Sequence, residues 1–365
     1  MPSVTANPLH NSAPSAASLP DRIYILADDL TGACDSGISF LRAGSGVRVW
    51  LGAAAQFSAP EPVQAFNTDS RSLSPAKASH VVSRSLAAIA SNPHALLFKK
   101  IDSAGRGPLA AEILAAHRVS GSRAVLLAPA FPAAGRTVRN GILEIHDATG
   151  QRTLIDVAAL FPPRHRDLIH LVSRSEMLGA ALDTGKPVLL CDSSTQSDLE
   201  SLVRSAENFP GLLFAGSAGL AQALASRNSL HVPRTSAPSA ARTLIVAGSD
   251  HPVTELQLRV LDRADSHAVQ VLRIRLSRRD CPRILDAFHN FAPQALILTG
   301  GDTAVFAAGT LGAHSFILHG ELAPGIPWGT VQGGMAEGCI VITKSGGFGT
   351  PTIFNEILSA LRGPA

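Results

Sequence analysis

A chain of 365 residues with 45% hydrophobic and 16% charged side chains can bury a sizeable core, and its length suits roughly two domains. That balance excludes a disordered chain. The formal net charge of +3, without a basic run interleaved with aromatics, speaks against a nucleic-acid groove and for a small-molecule partner.

The first twenty residues, MPSVTANPLHNSAPSAASLP, lack a basic start and a continuous apolar stretch. No secretory signal is expected, and residues 1–20 read as a disordered tail. No apolar run reaches membrane-spanning length, so no membrane partner is expected. Cys34, Cys191, Cys281 and Cys339 are spaced for neither zinc nor a redox dithiol and read as apolar filler in a reducing cytoplasm.

Short apolar runs then recur, each followed by a turn signal and a helical period: RIYILA, VRVWLG, ALLFKK, AVLLAP, PVLLCD and LLFAGS. Runs without alternation suit strands covered on both faces, hence a largely parallel sheet flanked by helices. The first run leads into DDLTGACD, with Asp28, Asp29 and Asp35 around a Thr31–Gly32 turn. A buried carboxylate is costly unless paired, so an Asp pair there suits a ligand; an Asp at that place equally caps the next helix, and both readings stand. RTVRNGILEIHDATGQRTLID, with its NG and TG turn signals, reads as an inserted hairpin region.

Ser-, Pro- and Ala-rich sequence from Ser226 to Arg242 marks a boundary, giving a domain over 21–230, a linker over 231–241 and a second domain over 242–365. A second α/β pattern follows: TLIVAGS, the helix candidate PVTELQLRVLDRA, AVQVLRI, ALILTGGDTA, SFILHG and CIVITKSGGFG. The expected fold is α/β, with two domains, each a largely parallel sheet flanked by helices, and a ligand cleft between them.

In such sheets ligands bind outside the carboxyl ends of the strands. In the first half those ends carry Asp28 and Asp29, then Asp69, Ser70 and Arg71, then Lys100, Asp102 and Arg106, then Arg136. Cations for a carboxylate, with Asp and Ser for hydroxyls, suit a small hydroxylated acid. Each cation taken singly reads more readily as solvated surface, and it is their shared placement after strands that argues for a site. The second half offers glycine loops: Ser249 in VAGSDHPVT; Gly300, Gly301, Asp302 and Thr303 in LTGGDTAV; Gly333 in VQGGMAEG; and Lys344, Gly346, Gly347 and Gly349 in TKSGGFGT. Glycine admits an anion close to backbone N–H groups, and a helix start adds a favourable dipole; the plain alternative is a tight turn with a cap. There is no Walker A or dinucleotide fingerprint, no nucleophile elbow of the right spacing around Ser217, and no HExxH. No protein metal ligand is expected.

In this order, ADDLTGACD, DSRS, KKIDS, PAFPAAGRT, GSAGLA, VAGS, LTGGDTA, PGIPWG and KSGGFG resemble the four-carbon acid sugar kinase family, from Ile23 to the last helix. The resemblance implies an N-terminal domain that holds threonate, erythronate, a 3-oxo-tetronate or a related acid, and a C-terminal domain that holds ATP with Mg²⁺. It implies phosphorylation of the terminal hydroxyl, with Asp28, Asp29 and Arg106 as catalytic groups and the remaining loop residues as substrate or nucleotide contacts. It leaves a homodimer open. The family's Lys-Lys-Ile-Asp-Ser-Thr-Leu-Arg-Gly-Asn is here KKIDSAGRGP, with Ala104 and Gly105 in place of Thr and Leu, which admits a branched acid such as 3-oxo-isoapionate. The alternative is a silent relative that senses an acid or a nucleotide; a dinucleotide-dependent oxidoreductase has only the fold class in its favour.

Overall fold

A computed structural model of the chain describes residues 20–42, 44–52, 59–89, 95–146, 150–227, 237–261 and 267–362. The expected tail, apart from Pro20, and the linker as far as residue 236 lie outside the described residues.

The first half runs β1 (Ile23–Ala27), α1 (Leu30–Ile38), β2 (Val47–Trp50), β3 (Val63–Asn67), α2 (Pro75–Ile89), β4 (Leu96–Lys100), α3 (Leu109–Ser120) and β5 (Ala124–Ala128). A separate antiparallel sheet, β6 (Arg136–Arg139), β7 (Ile142–His146) and β8 (Arg152–Asp156), is the hairpin region expected from its turn signals. Then follow β9 (Ile169–Val172), α4 (Leu178–Asp183), β10 (Val188–Cys191), α5 (Gln196–Ala206), β11 (Leu212–Gly216) and α6 (Ala218–Ser226). The second half runs β12 (Thr243–Ala247), α7 (Pro252–Arg259), β13 (Val269–Arg273), α8 (Asp280–Phe291), β14 (Ala295–Thr299), α9 (Gly301–Thr310), β15 (Ser315–Ala323), β16 (Ile326–Gln332), β17 (Ile340–Lys344) and α10 (Ile353–Arg362). Among the described residues no helix is long and apolar enough to cross a membrane.

The strands of each half pair mainly in parallel, as their unbroken apolar runs require. The two sheets are also one. Across the molecule the order is β13, β12, β14, β17, β16, β15, β2, β3, β1, β4, β11, β5, β10, β9, fourteen strands joined by antiparallel pairing of β15 with β2. The sequence motifs did not foresee this join, nor β16, whose Pro327 and Gly329 read against a strand. Gly329 is required there, because a Cβ would collide with the Ile317 carbonyl of the neighbouring strand.

Helix α1 lies at the centre. All nine of its residues are buried, and one apolar cluster around it includes Ile25, Leu30 and Val47 from the first half and Leu298, Phe316 and Val341 from the second. Burial on every side makes it a core helix, although Thr31, Asp35 and Ser36 are polar. Its start, at the carboxyl end of β1, falls beside the second half.

Candidate functional site

Asp29 caps α1: its backbone is extended (φ −144°) and its Oδ1 accepts from the Gly32 N–H at 2.8 Å, while the Thr31 hydroxyl donates to Oδ2 at 2.8 Å. The cap does not use up this carboxylate, which also joins a charged cluster. Arg71 donates from Nε to Asp28 Oδ2 and from one terminal nitrogen to Asp29 Oδ2, each at 2.8 Å, and its other nitrogen stands 3.3 Å from Asp102 Oδ1. Arg106 grips Asp102 with two bonds of 2.8 Å. Glycine at position 32 leaves room for this crowd, since a Cβ would stand 2.6 Å from Asp29 Oδ1 and 2.7 Å from the Lys100 ammonium and would displace one of them.

These loops converge because β3, β1 and β4 are adjacent parallel strands. Ser70 and Arg71 are drawn under the cluster by backbone bonds to the Asp28 carbonyl, and Ser70 shares a 2.7 Å hydroxyl contact with Thr68. Asp69 turns through a left-handed conformation (φ 50°), sparsely populated by non-glycine residues. Lys100 donates to the Ile101 carbonyl. Its neighbour Lys99 forms a buried pair with Glu112 at 2.7 Å on the sheet's other face and belongs to the core.

The carboxylates differ in proton affinity. Burial raises Asp28, against the pull of Arg71, and its Oδ1 has no hydrogen-bond partner. Burial also works to raise Asp29, but Arg71, Lys100 and the Thr31 hydroxyl outweigh it and hold this carboxyl low. For Asp102 burial is outweighed by Arg106 and Arg71, so it too is held ionised. Asp69 is raised by partial burial and then by the carboxylates of Asp302 and Asp29.

In the second half the ends of β12, β14 and β17, again adjacent and parallel, bring Ser249, Gly300 and Gly346 together. A Cβ on Gly346 would collide with Ser249 Oγ, and one on Gly300, at φ +99°, would stand 3.2 Å from the Thr303 hydroxyl. Gly347 lies against the His251 ring and Gly349 turns at φ +88°. No side chain caps the first turn of α9, which leaves its N–H groups available to an anion. The two halves touch at this point, where a Cβ on Gly301 would collide with Asp29 Oδ2.

Three expected positions differ. Gly333 is not in this cradle: β16 runs antiparallel to β17, so the turn after it emerges at the opposite end of the strands, against His314. Lys344 is fully buried, and its ammonium donates to the carbonyls of Ser345, Gly346 and Phe348 at 2.8, 3.4 and 3.2 Å; burial pushes it down to about 7. It braces the glycine loop from within. Arg136 donates to the Ala134 carbonyl and stacks 5.1 Å from the Phe348 ring, joining the halves. Arg106 keeps 58% of its side chain exposed, against 21% for Arg71.

Sequence reasoning missed Phe348, whose ring also lies 5.9 Å from that of Phe131. It left Asp35 unassigned although the residue stands in the opening motif. Gly105, the departure in the KKIDSAGRG loop, turns at φ +68° with Ile155 and Leu143 of the hairpin region and Leu160 just beyond it 3.0 to 3.9 Å from where its Cβ would be. Those apolar side chains fill the space a leucine would take.

A model of a sugar-binding N-terminal domain matches residues 23–181, and one of a nucleotide-binding C-terminal domain matches residues 282–354, together more than half of the chain. The chain is 29% identical to a D-threonate kinase of Salmonella typhimurium, across 92% of this chain and 97% of that protein. It is 30% identical to a D-erythronate kinase of Heliobacterium modesticaldum, across 67% of this chain and 61% of that protein. The crystal structure of a Haemophilus influenzae protein has the same fold, with a TM-score of 0.64 at 19% identity, across 93% of this chain and 100% of the other.

Proposed function

The chain belongs to the four-carbon acid sugar kinase family, and from that premise we propose that it transfers the γ-phosphoryl group of ATP to the terminal hydroxyl of a small sugar acid. Threonate, erythronate, a 3-oxo-tetronate and a branched acid such as 3-oxo-isoapionate are the candidate acceptors. The observation that carries this reading is the contact of Asp29 with Gly301, which sets an acid-sugar type of cluster directly against an uncapped helix start.

Phosphoryl transfer asks the protein mainly for alignment and charge neutralisation. In this reading the phosphates rest on Gly300 to Thr303 and the Gly346–Gly347 loop. Asp29, ionised and fixed by three bonds, orients the acceptor hydroxyl at the seam. Asp28, with an open oxygen and a raised carboxyl, takes its proton. Arg71 ties the two carboxylates together, and Arg106, the more exposed arginine, exchanges part of its hold on Asp102 for the carboxylate of the acid.

No group of three or more His, Cys, Asp or Glu fit for a metal stands among the described residues. A Mg²⁺ carried on ATP phosphates needs only about one or two carboxylates, and Asp302 and Asp69, like charges close enough to raise Asp69, fit that demand from the two halves. Bound there, Mg²⁺ would neutralise phosphate charge.

The test is ADP release with Mg²⁺-ATP against a panel of these acids. One acid is expected to give strong turnover, and Asp29→Asn to lower kcat at least about a hundredfold with ATP affinity within about twofold by calorimetry. Undiminished turnover in Asp29→Asn would remove Asp29 from this role, and silence with every acid would overturn the reading.

A further inference from the structure

Asp35 is the one carboxylate of the opening motif without a part in the chemistry above. It lies inside α1, with 8% of its surface exposed, and its Oδ1 has no hydrogen-bond partner. A carboxylate inside a fully buried helix is a liability to the fold unless something meets it.

Its surroundings have the character of a binding subsite. Gly32 and Asp35 are three residues apart and share one face of α1, and the Lys100 ammonium lies against Gly32. The charged groups acting on Asp35 are Lys100 from β4, Glu321 from β15, Asp29 from the helix start and Arg136 from β6. The second half completes the enclosure. The turn between β15 and β16 brings Gly325 close, so that its Cβ would stand 3.6 Å from Asp35 Oδ1 and 2.7 Å from the Phe348 ring. Two cations, an unmatched acceptor and an aromatic wall are therefore gathered beside the Asp28–Asp29 cluster.

We propose that Asp35 is a substrate-contact residue, with Oδ1 accepting a hydrogen bond from a hydroxyl of the sugar acid other than the one phosphorylated. This rests on the kinase reading and deepens it. The oxygen is left unpaired by the protein because the ligand supplies its donor. Recognition of that hydroxyl then depends on the two halves meeting, because Gly325 and Phe348 come from the nucleotide half and Asp35 from the acid half.

The experiment compares wild type, Asp35→Ala and Asp35→Asn on the acid that wild type phosphorylates and on its monodeoxy analogues, each lacking one non-reacting hydroxyl. Wild type is expected to lose at least about tenfold in kcat/KM on one analogue, the size of a single buried hydrogen bond. In Asp35→Ala the acid and that analogue should differ less than about threefold, with KM for ATP unchanged within about twofold. Asp35→Asn keeps the shape and offers a neutral acceptor, so it should fall between the two; it carries the test if the alanine variant does not fold. Wild-type discrimination retained in the variants overturns the proposal and leaves the kinase reading standing. A wild type that phosphorylates no acid overturns both.

Discussion

At the scale of single residues, Asp35 links function to stability. Burial raises its carboxyl to about 7, against the pull of Lys100 and Arg136 and with the support of Glu321 and Asp29. The folded chain thus holds a proton that the unfolded chain, with an ordinary carboxylate pKa of about 3.9, has given up. The stability contributed is full below about pH 4 and is lost as pH rises through 7. Asp35→Asn is therefore expected to raise Tm by several degrees at pH 8, and the gain should vanish near pH 4. A Tm that falls at pH 8 would show that Asp35 has partners holding it in its charged form. The opposite behaviour of Asp29, held ionised by Arg71, Lys100 and Thr31 despite its burial, shows how two carboxylates of one motif are separated by their neighbours. The motif made both visible; only packing assigned each its environment.

At the scale of elements, the decisive contact is between two helix starts. The first turn of α1 carries Asp29, and the first turn of α9 presents Gly301 to it. Alanine is the better helix former, by about 1 kcal/mol, so Gly301→Ala should leave Tm within a few degrees. Its Cβ would displace the Asp29 carboxylate, and kcat is expected to drop at least about tenfold, some 1.4 kcal/mol in the barrier. Unchanged kcat would mean that the seam takes no part in turnover. The strand runs and glycine loops that build these starts were legible in sequence, because unbroken apolar runs and Gly-rich turns have local causes. Strand β16 was not, and its loss had a consequence. Without its antiparallel direction Gly333 reads as one more glycine of the cradle, whereas the chain delivers it to the other end of the sheet. Lys344 was legible as a lysine beside glycines, but whether its ammonium turned outward or into the loop depended on Phe354 and the loop carbonyls around it.

At the scale of the molecule, the halves share both a sheet and a core. Four register pairs join β15 to β2, from Ser315 with Trp50 to Leu318 with Val47, and the apolar cluster around α1 contains side chains from both sides. Thermal unfolding is accordingly expected to give one calorimetric transition, with matching calorimetric and van't Hoff enthalpies. Two resolved transitions would mean that the β2–β15 ladder couples the halves weakly. By itself the sequence determined the α/β class, most of the strands, and the residue types gathered at their carboxyl ends, since these follow from hydrophobic period, turn chemistry and the cost of buried charge. Only the tertiary structure decided that the two sheets are one, that Asp29 meets Gly301, that Gly333 and Lys344 do not open onto the cradle, and that Asp35 lies unpaired beside the acid cluster. Each of these depends on strand direction or on neighbours far away in sequence, and local pattern carries no record of either.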